Sequence, residues 1–197
     1  MPDEPLAADR GPLAGLQRDN PRRLHLGCGP FIAPGWLNCD LRYAPGVTLC
    51  ADLRAGLPLA DASIDCIAAI HVLQDLTYDE VRPALRELHR VLGPGGVLRL
   101  GLPDLDKALC AYLAGDAAFF YVPDKDAASI GTKLVTQLTW YGSVRTPFTY
   151  DCIREWLLEA GFGDVYRCEY RITLSRFAEL ADLDNRERES LFVEAVR

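Results

Sequence analysis

Short apolar runs separated by amphipathic segments are the feature of this 197-residue chain that most restricts its fold. Each run is four to eight residues long and is bounded by Gly, Pro or Asp. Runs of this kind predict strands that are buried on both faces, as the strands of a parallel sheet are. The runs are RLHL (23–26), WLNCD (36–40), VTLCADL (47–53), SIDCIAAI (63–70) and VLRLGLP (97–103).

Two segments have the period of amphipathic helices. The first ends before Gly93, which we expect to adopt the left-handed conformation that terminates a helix. The second lies in TYDCIREWLLEAGF, between a cap at Thr149 and a stop at Gly161. Two further strands are predicted over 164–172 and 190–196, so the alternation predicts an α/β fold with a doubly wound, mostly parallel sheet. The apolar positions of the first helix are Val81, Leu85, Leu88 and Leu92.

The length of the chain allows one domain with a hydrophobic core but hardly two. We expect residues 23–197 to form this domain and residues 1–22, rich in Pro, Gly, Ala and charge, to form an N-terminal extension. An insert at 107–148 follows the fifth strand and is dense in aromatic residues. Because open parallel sheets bind ligands at the carboxyl ends of their strands, we expect this insert to be a substrate cap.

Composition excludes several classes of function. The seven cysteines form no CxxC pair and only three histidines accompany them, so neither a disulfide framework nor a metal site is expected. The net charge of −7 and the dispersed arginines argue against nucleic acid as a partner. The apolar runs are too short for a membrane span and the first residues lack the pattern of a secretory leader, so we expect a cytoplasmic protein without a membrane partner.

A glycine turn follows the first strand in the stretch LHLGCGP. A P-loop would need GxxxxGK[ST], which the sequence lacks, and a dinucleotide fingerprint would need glycine where Ile32 stands. The next segment is interrupted by Pro34 and Gly35, so it cannot form the crossover helix whose N-terminus binds pyrophosphate. These features disfavour an NAD-dependent oxidoreductase.

An acidic residue closes the second predicted strand. Asp40 lies 11 positions after Gly29. A carboxylate there can accept two charge-assisted hydrogen bonds from the vicinal hydroxyls of a ribose. Taken singly, the glycines are also compatible with an ordinary tight turn, and Asp40 with a residue that caps a strand end.

Together these motifs resemble a known family. LHLGCGPFIAPGWLNCDL, ADLRAGLPLADASIDCIAAIHVLQDL and ELHRVLGPGGVLRLGLPDLD are similar to successive motifs of class I S-adenosylmethionine-dependent methyltransferases. The resemblance is strongest to a small bacterial subgroup with the signature LNLGCG, PGWIN(V/I)D, RVLKPGG and PDL. It covers about residues 23–106, and PFTYDCIREWLLEAGF and SLFVEAVR match the usual ending. The resemblance implies a Rossmann-like, seven-stranded sheet with an antiparallel last strand, a small helical insert after strand five, and S-adenosylmethionine as the cofactor.

The resemblance also implies how the cofactor is held. The glycine turn would lie against the methionine part, while Asp40 would accept from the ribose hydroxyls and Asp52 from the adenine amino group. Leu41 would lie beside the adenine, and the Leu53 amide would pair with a ring nitrogen. His71, just past the fourth strand, would lie near the sulfonium. The implied cofactor-binding residues are Gly27, Cys28, Gly29, Asp40, Leu41, Asp52, Leu53 and His71.

Methyl transfer is an in-line displacement, so the protein chiefly has to align the nucleophile with the methyl group. A base is needed only for a protonated hydroxyl or amine. His71 is the candidate catalytic base, or else a hydrogen-bonded residue that shapes the pocket. Where the family often has Glu-His, this chain has Gln74-Asp75, and Asp75 is the candidate replacement for the missing histidine. If Asp75 does not replace it, the chain is a cofactor-binding but catalytically inactive partner or scaffold protein.

Three residues are candidates for substrate binding: Asp104, Tyr141 and Arg145. Asp104 follows the fifth strand, where it can equally cap the next helix. Tyr141 belongs to the aromatic insert, and Arg145 can bind a carboxylate or phosphate or stay solvated. The expected acceptor is a small molecule, for instance a saccharide or secondary metabolite, as in relatives with this signature. A homodimer is compatible with the expected strand order but has no residue-level support.

Overall fold

The computed structural model describes residues 22–197, so the predicted extension at 1–22 lies outside the described residues apart from Arg22. Seven strands form one sheet: β1 (Arg23–Leu26), β2 (Leu37–Asp40), β3 (Leu49–Cys50), β4 (Ile64–Ile70), β5 (Leu92–Pro103), β6 (Asp164–Cys168) and β7 (Ser190–Val196). Their order is β3-β2-β1-β4-β5-β7-β6. Strands β1 to β5 are parallel, whereas β7 is antiparallel to both β5 and β6. The predicted α/β class and the antiparallel last strand are confirmed.

Four α-helices accompany the sheet in the described part of the chain: α1 (Tyr78–Val91), α2 (Leu105–Ala114), α3 (Ile130–Thr139) and α4 (Tyr150–Glu159). Helix α4 has the predicted cap, because the Thr149 side chain accepts from the Cys152 amide, and it ends before Gly161 with φ +104°. None of the helices within residues 22–197 is long and apolar enough to cross a membrane.

Strand alternation produces two apolar clusters on opposite faces of the sheet. The larger cluster packs Leu24 of β1, Ile67 of β4 and Leu100 of β5 against Leu85 of α1 and Ile153 of α4, all of them fully buried. Because complete burial of a Leu or Ile side chain contributes about 1.5–3 kcal/mol, this face holds α1 and α4 firmly on the sheet.

The second face of the sheet is covered by loops and by the 3₁₀ helix Ala178–Leu183. Ala68 of β4 and Val97 of β5 pack in one cluster with Trp36 and with Leu180, which belongs to the connection between β6 and β7. The connection from β1 to β2 contains no helix, as predicted, and Gly35 within it has φ +78°. The turn after β1 is therefore not continued by a helix that could direct its dipole at a ligand.

A buried arginine fixes the β6–β7 connection to this second face. The Arg99 side chain of β5 is fully buried, and its guanidinium donates to Asp184 (2.8 and 2.5 Å) and to Glu194 of β7 (2.9 Å). It also donates to the carbonyl oxygens of Glu169 and Ile172. An unpaired buried charge would cost several kcal/mol, so these five bonds hold the connection in one position.

The same bonds explain why β6 is shorter than the predicted strand at 164–172. The strand ends at Cys168. Arg99 donates hydrogen bonds to the carbonyl oxygens of Glu169 and Ile172. The chain therefore turns towards Arg99 after Cys168 and does not continue its hydrogen-bond ladder with β7.

The boundary between α1 and β5 also differs from the prediction. Helix α1 begins with a capping box in which the Thr77 amide donates to the Glu80 carboxylate at 2.8 Å. The expectation of a left-handed Gly93 was wrong: the strand begins directly at Leu92, and the positive φ of +69° lies at Gly95. Pairing with β4 starts as soon as the helix ends, so the turn occurs inside the GPGG segment rather than before it.

The helical insert after strand five is present. Helices α2 and α3 pack together through a small cluster that includes Ala108, Ala111 and Phe120. The insert returns to the sheet at Thr146, whose hydroxyl donates to the Leu76 carbonyl at 2.7 Å. This contact places the insert beside the segment that follows β4; its role as a substrate cap and the boundaries given above for the extension, the domain and the insert stay predictions.

Candidate functional site

Three cavities meet at His71, the first residue after β4. The strand-end cavity, of about 550 Å³, lies beyond β1, β2 and β3 and is lined by Asp40, Leu41, Asp52, Leu53, Asp75 and Arg145. The turn cavity, of about 690 Å³, is lined by Cys28, Gly29, Phe31, Arg171, Asp182 and Arg186. The insert cavity, of about 160 Å³, is lined by Gln74, Asp75, Gln137, Trp140, Arg186 and Glu189. His71 lines all three, and Gly27 lines the first two.

The glycine turn separates the strand-end cavity from the turn cavity. Gly27 has φ +66°, and a Cβ atom there would lie 2.4 Å from Val72 Cγ2. Gly29 has φ +51°, and a Cβ atom there would meet nothing within 4 Å. Val72 lies so close to the backbone at position 27 that only glycine fits there without a clash. At position 29 the positive φ favours glycine, and the space beside the backbone is open.

Asp40 stabilises the same turn from the end of β2. Its Oδ2 accepts from the Gly29 amide at 2.8 Å and its Oδ1 from the Arg42 amide at 3.0 Å. A carboxylate has about four acceptor positions, so these two bonds leave room for a ligand's hydroxyl groups. Leu41 beside it is 56% exposed and offers an apolar surface to the same cavity.

Asp52 follows β3 and already has a partner. It caps the 3₁₀ turn Leu53–Ala55, and the Arg54 guanidinium donates to both its oxygens at 2.7 to 3.1 Å. This ion pair holds the pKa of Asp52 below its usual range. Asp52 therefore stays ionised, and an adenine amino group would share the carboxylate with Arg54.

His71 has a constrained backbone and a defined tautomer. Its φ of +56° is unusual for a residue with a side chain, and its amide donates to the Gly101 carbonyl at 2.8 Å. The Ser190 hydroxyl donates its one proton to the Arg186 carbonyl at 2.8 Å, so His71 Nε2, at 2.9 Å, is the donor to Ser190. The unprotonated nitrogen is therefore Nδ1.

Burial lowers the pKa of His71 to about 4, and the nearby Arg186 cation adds to the shift. At neutral pH the ring is uncharged, so it can accept a proton. It is a weaker base than a histidine that titrates near pH 7, because catalytic efficiency follows the match between pKa and working pH.

Asp75 lines both the strand-end and the insert cavity, whereas Arg145 lines only the strand-end cavity. Restricted solvation raises the pKa of Asp75, while Gln74 and the cations of Arg145 and Arg186 work in the opposite direction. Arg145 is exposed, and its amide donates to the Gln74 carbonyl at 2.8 Å. Of these two predicted residues, only Asp75 thus lies at the junction of the cavities.

Asp104 and Tyr141 are not brought to these cavities. Asp104 is buried and caps α2 by accepting from the Lys107 amide at 3.1 Å, and its other oxygen accepts from Arg167 at 3.0 Å. The Tyr141 hydroxyl donates to Asp126 at 2.9 Å on the outer side of the insert. Asp104 therefore caps α2, which is the alternative to substrate binding that the sequence analysis gave for it.

Several residues of the site gave no clear indication in the sequence. Arg171, Asp182 and Arg186 enter the turn cavity from the β6–β7 connection, and Trp140 and Glu189 line the insert cavity. Only Trp140 belongs to a segment that the sequence singled out, the aromatic insert at 107–148. The others reach the site because Arg99 anchors their connection, which the local sequence does not predict.

The chain is similar to known proteins in sequence and in structure. Residues 32–100, about a third of the chain, match the family model described as "Methyltransferase domain". An uncharacterized 37.1 kDa protein in a transposon of Streptomyces fradiae is 39% identical over 80 residues, which make up 41% of this chain and 20% of that protein. The chain thus covers about a fifth of this curated relative's length.

Solved structures share the whole fold at low identity. A methyltransferase from Thermotoga maritima has a TM-score of 0.55 and 18% identity, with 90% of this chain and 82% of that chain covered. One from Mesorhizobium loti has a TM-score of 0.53 and 21% identity, with 90% and 91% covered. Both are described as dependent on S-adenosylmethionine. The chain therefore shares its fold with solved methyltransferases, and its residues 32–100 match the methyltransferase domain model.

S-adenosylmethionine is the cofactor named for both of these solved structures, and this chain has residues that fit it. The acidic side chains of Asp40 and Asp52 and the exposed apolar surface of Leu41 line one cavity at the strand ends. A Cβ atom at Gly29 would enter the open space beside the turn. Within residues 22–197 no group of three or more His, Cys, Asp and Glu side chains could hold a metal ion. The donor set therefore suits a phosphate-free adenosyl ligand.

Proposed function

We propose that the methyltransferase domain transfers a methyl group from S-adenosylmethionine to a small-molecule acceptor. The observation that carries this proposal is the meeting of three cavities at His71. A methyl transferase needs one such junction, because the adenosyl arm, the methionine arm and the acceptor must all reach the same carbon atom.

The adenosyl arm is assigned to the strand-end cavity. Asp40 would accept from the ribose hydroxyls while it keeps its bond from Gly29, and Leu41 would cover one face of the adenine. Asp52 and the Leu53 amide would meet the edge of the adenine. Each charge-assisted bond to a carboxylate contributes about 1.5–3 kcal/mol, which gives Asp40 a measurable share of the affinity.

The methionine arm is assigned to the turn cavity, which Cys28 and Gly29 line from one side. The amino-acid end of the ligand is a zwitterion. Arg171 and Arg186 would pair with its carboxylate, and Asp182 would pair with its ammonium group. These charges lie on the β6–β7 connection, so this connection would take part in cofactor binding.

Bound S-adenosylmethionine supplies an electrophilic methyl: a lone pair of the acceptor forms the new bond to carbon, the carbon–sulfur electrons return to sulfur, and S-adenosylhomocysteine leaves. The protein positions the acceptor and receives its proton when the nucleophile is a hydroxyl or ammonium group. His71 Nδ1 is uncharged at neutral pH and the Asp75 carboxylate lies beside it at the junction, so either can take that proton. The reaction leaves the proton on the base or in solvent.

The acceptor is proposed to be small and polar, with a saccharide or a secondary metabolite as the leading class. The insert cavity of about 160 Å³ and its polar lining support this class. The net charge of −7 gives no reason to expect a polyanion as the acceptor.

Calorimetry with S-adenosylmethionine, S-adenosylhomocysteine and NAD tests the cofactor assignment. We expect the first two to bind one site per chain and NAD to give no heat. Incubation with methyl-labelled S-adenosylmethionine and the small-molecule fraction of the source cells then tests turnover, with labelled product and S-adenosylhomocysteine formed in equal amounts. Binding of NAD without binding of S-adenosylmethionine would overturn the proposal.

A cofactor-binding but inactive scaffold is the second candidate. It is favoured by the low pKa of His71, about 4, and by Gln74-Asp75 where the family often has Glu-His. It predicts normal binding of S-adenosylmethionine with no labelled product from any fraction. Equimolar product and S-adenosylhomocysteine would exclude it.

A further inference from the structure

Gln74 lines the insert cavity and has a buried side-chain oxygen without a partner. Gln74 is 5% exposed, and its Oε1 has no hydrogen-bond partner among residues 22–197. Its backbone carbonyl is occupied by the amides of Arg145 (2.8 Å) and Thr146 (3.1 Å), so the residue is held firmly in place. A buried hydrogen-bond acceptor without a partner destabilises the fold by about 1–3 kcal/mol. Such atoms are uncommon in native structures, which points to a partner that binds from outside the chain.

The orientation of the Gln74 amide follows from its neighbour. The side chain lies against the Asp75 carboxylate and lowers the pKa of that group. An amide beside a carboxylate directs its NH₂ group at it, because two acceptors in contact repel. The carbonyl end, Oε1, is therefore the part left for another donor.

The rest of the lining is richer in acceptors than in donors. Asp75 and Glu189 contribute carboxylates, while Gln137 already uses its Oε1 to accept from the Tyr121 amide at 2.7 Å. Arg186 is the cation of this wall, and it is engaged by Glu189 at 3.6 Å and lies over the Trp140 ring at 5.7 Å. A ligand that fits this wall brings hydrogen-bond donors of its own.

The size of the cavity limits the ligand. Its volume of about 160 Å³ corresponds to about five water molecules at the liquid's share of 30 Å³ each. A single ring with one polar group fills such a space, and a larger acceptor would place only its reacting end there.

We propose that the insert cavity binds the reacting end of the methyl acceptor through an O–H or N–H donor, and that Gln74 Oε1 is the hydrogen-bond acceptor that selects this donor. This inference rests on the proposed function, because it assigns the acceptor's position relative to His71. Gln74 is thus a specificity-determining residue. The Gln74-Asp75 pair adapts the site to a methyl acceptor that carries a hydrogen-bond donor, and it does not indicate a loss of activity.

Three probes of one shape test the proposal: cyclohexanol and cyclohexylamine carry donors, and cyclohexanone carries only an acceptor. Each is titrated into the full chain saturated with S-adenosylhomocysteine, and binding is followed by the indole N–H NMR signal of Trp140, which lines the same cavity and is kept in the Gln74 and Ser63 variants. This signal is assigned by its loss in Trp140→Phe. Ser63→Ala is the matched control, because Ser63 Oγ is also buried without a partner but lines none of the cavities described above.

We expect cyclohexanol, cyclohexylamine or both to bind about tenfold more tightly than cyclohexanone, in line with one hydrogen bond to a buried group. The two donor probes distinguish a hydroxyl from an amine acceptor. Gln74→Leu should abolish the preference and Ser63→Ala should retain it. If Gln74→Leu does not fold, Gln74→Met removes the same oxygen from an unbranched side chain of similar length.

Equal affinity for the three probes, no binding of any of them, or an unchanged preference in Gln74→Leu would overturn this inference. Each of those results leaves the proposed function standing as long as S-adenosylhomocysteine still binds. Failure to bind S-adenosylhomocysteine would instead refute the proposed function, so the two failures are distinguishable.

Discussion

Replacing Gly27 with alanine should destabilise the domain more than the same change at Gly29. At Gly27 the new Cβ atom would lie 2.4 Å from Val72 Cγ2, closer than real Cβ contacts. Val72 has a stiff, β-branched side chain and cannot swing its methyl group away cheaply. At Gly29 no heavy atom lies within 4 Å of the added methyl group.

The magnitude of each change follows from two separate costs. Both glycines have positive φ, +66° at Gly27 and +51° at Gly29, and a side chain in that region costs about 1–2 kcal/mol. Overpacking at Gly27 adds about 1–3 kcal/mol. We therefore expect the free energy of unfolding to fall by about 2–5 kcal/mol in Gly27→Ala and by about 1–2 kcal/mol in Gly29→Ala.

Urea unfolding of the two variants measures the difference, and Val72→Ala provides the control. In the Gly27→Ala, Val72→Ala double variant the clash is removed, so its loss should be smaller than the sum of the two single losses. Gly29→Ala should also weaken binding of S-adenosylmethionine, since its methyl group enters the open space of the turn cavity. Equal destabilisation by the two glycine variants, with additive effects of Val72→Ala, would refute the packing argument.

Three other changes test separate parts of the structure. Asp40→Asn keeps the shape of the side chain but removes its charge, so calorimetry should find S-adenosylmethionine binding at least about tenfold weaker; unchanged affinity would remove Asp40 from the site. Arg99→Met leaves the carboxylates of Asp184 and Glu194 buried without the cation that neutralises them, so urea unfolding should register a loss of about 3–5 kcal/mol, and a loss under about 1 kcal/mol would contradict the anchoring role. The folded pKa of His71, about 4, is below its ordinary 6.5, so its contribution to stability is present above pH 6.5 and is lost as the pH falls towards 4. Between these two pH values the free energy of unfolding should change less steeply with pH in His71→Gln than in the unsubstituted protein, by up to about 1.4 kcal/mol per pH unit. Parallel curves for the two proteins would contradict the assigned shift.

The architecture of the second sheet face has a consequence for the site. Because no helix follows the glycine turn, the β6–β7 connection reaches the turn cavity with Arg171, Asp182 and Arg186. The Arg99 cluster holds that connection, so a buried ion network far from the methyl group helps to position charges of the proposed methionine site. A loss of Arg99 should thus weaken cofactor binding as well as stability.

Local patterns in the sequence were enough for much of the fold. Apolar runs gave the strands, and the cap at Thr149 and the stop at Gly161 correctly bounded α4. Pro34 and Gly35 correctly predicted a β1–β2 connection without a helix. These features depend on period, capping and allowed φ, all of which are properties of neighbouring residues.

The candidate cofactor site was also predictable in outline. Parallel strands place their carboxyl ends at one edge, so residues that follow β1, β2, β3 and β4 had to lie near one another. Asp40, Asp52 and His71 do line the strand-end cavity. Their roles towards a ligand stay predictions.

Only the tertiary structure decided what the side chains at this edge contact. The resemblance implies that the turn at Gly27 lies against the cofactor, and the structure adds that Val72 packs against this position. It also gives Asp104 to a helix cap and pairs the Tyr141 hydroxyl with Asp126. Gln74 is buried because the chain returns to it 71 residues later, where the Arg145 amide donates to its carbonyl oxygen. Burial and pairing between distant residues depend on how whole elements pack, and no short stretch of sequence contains that information.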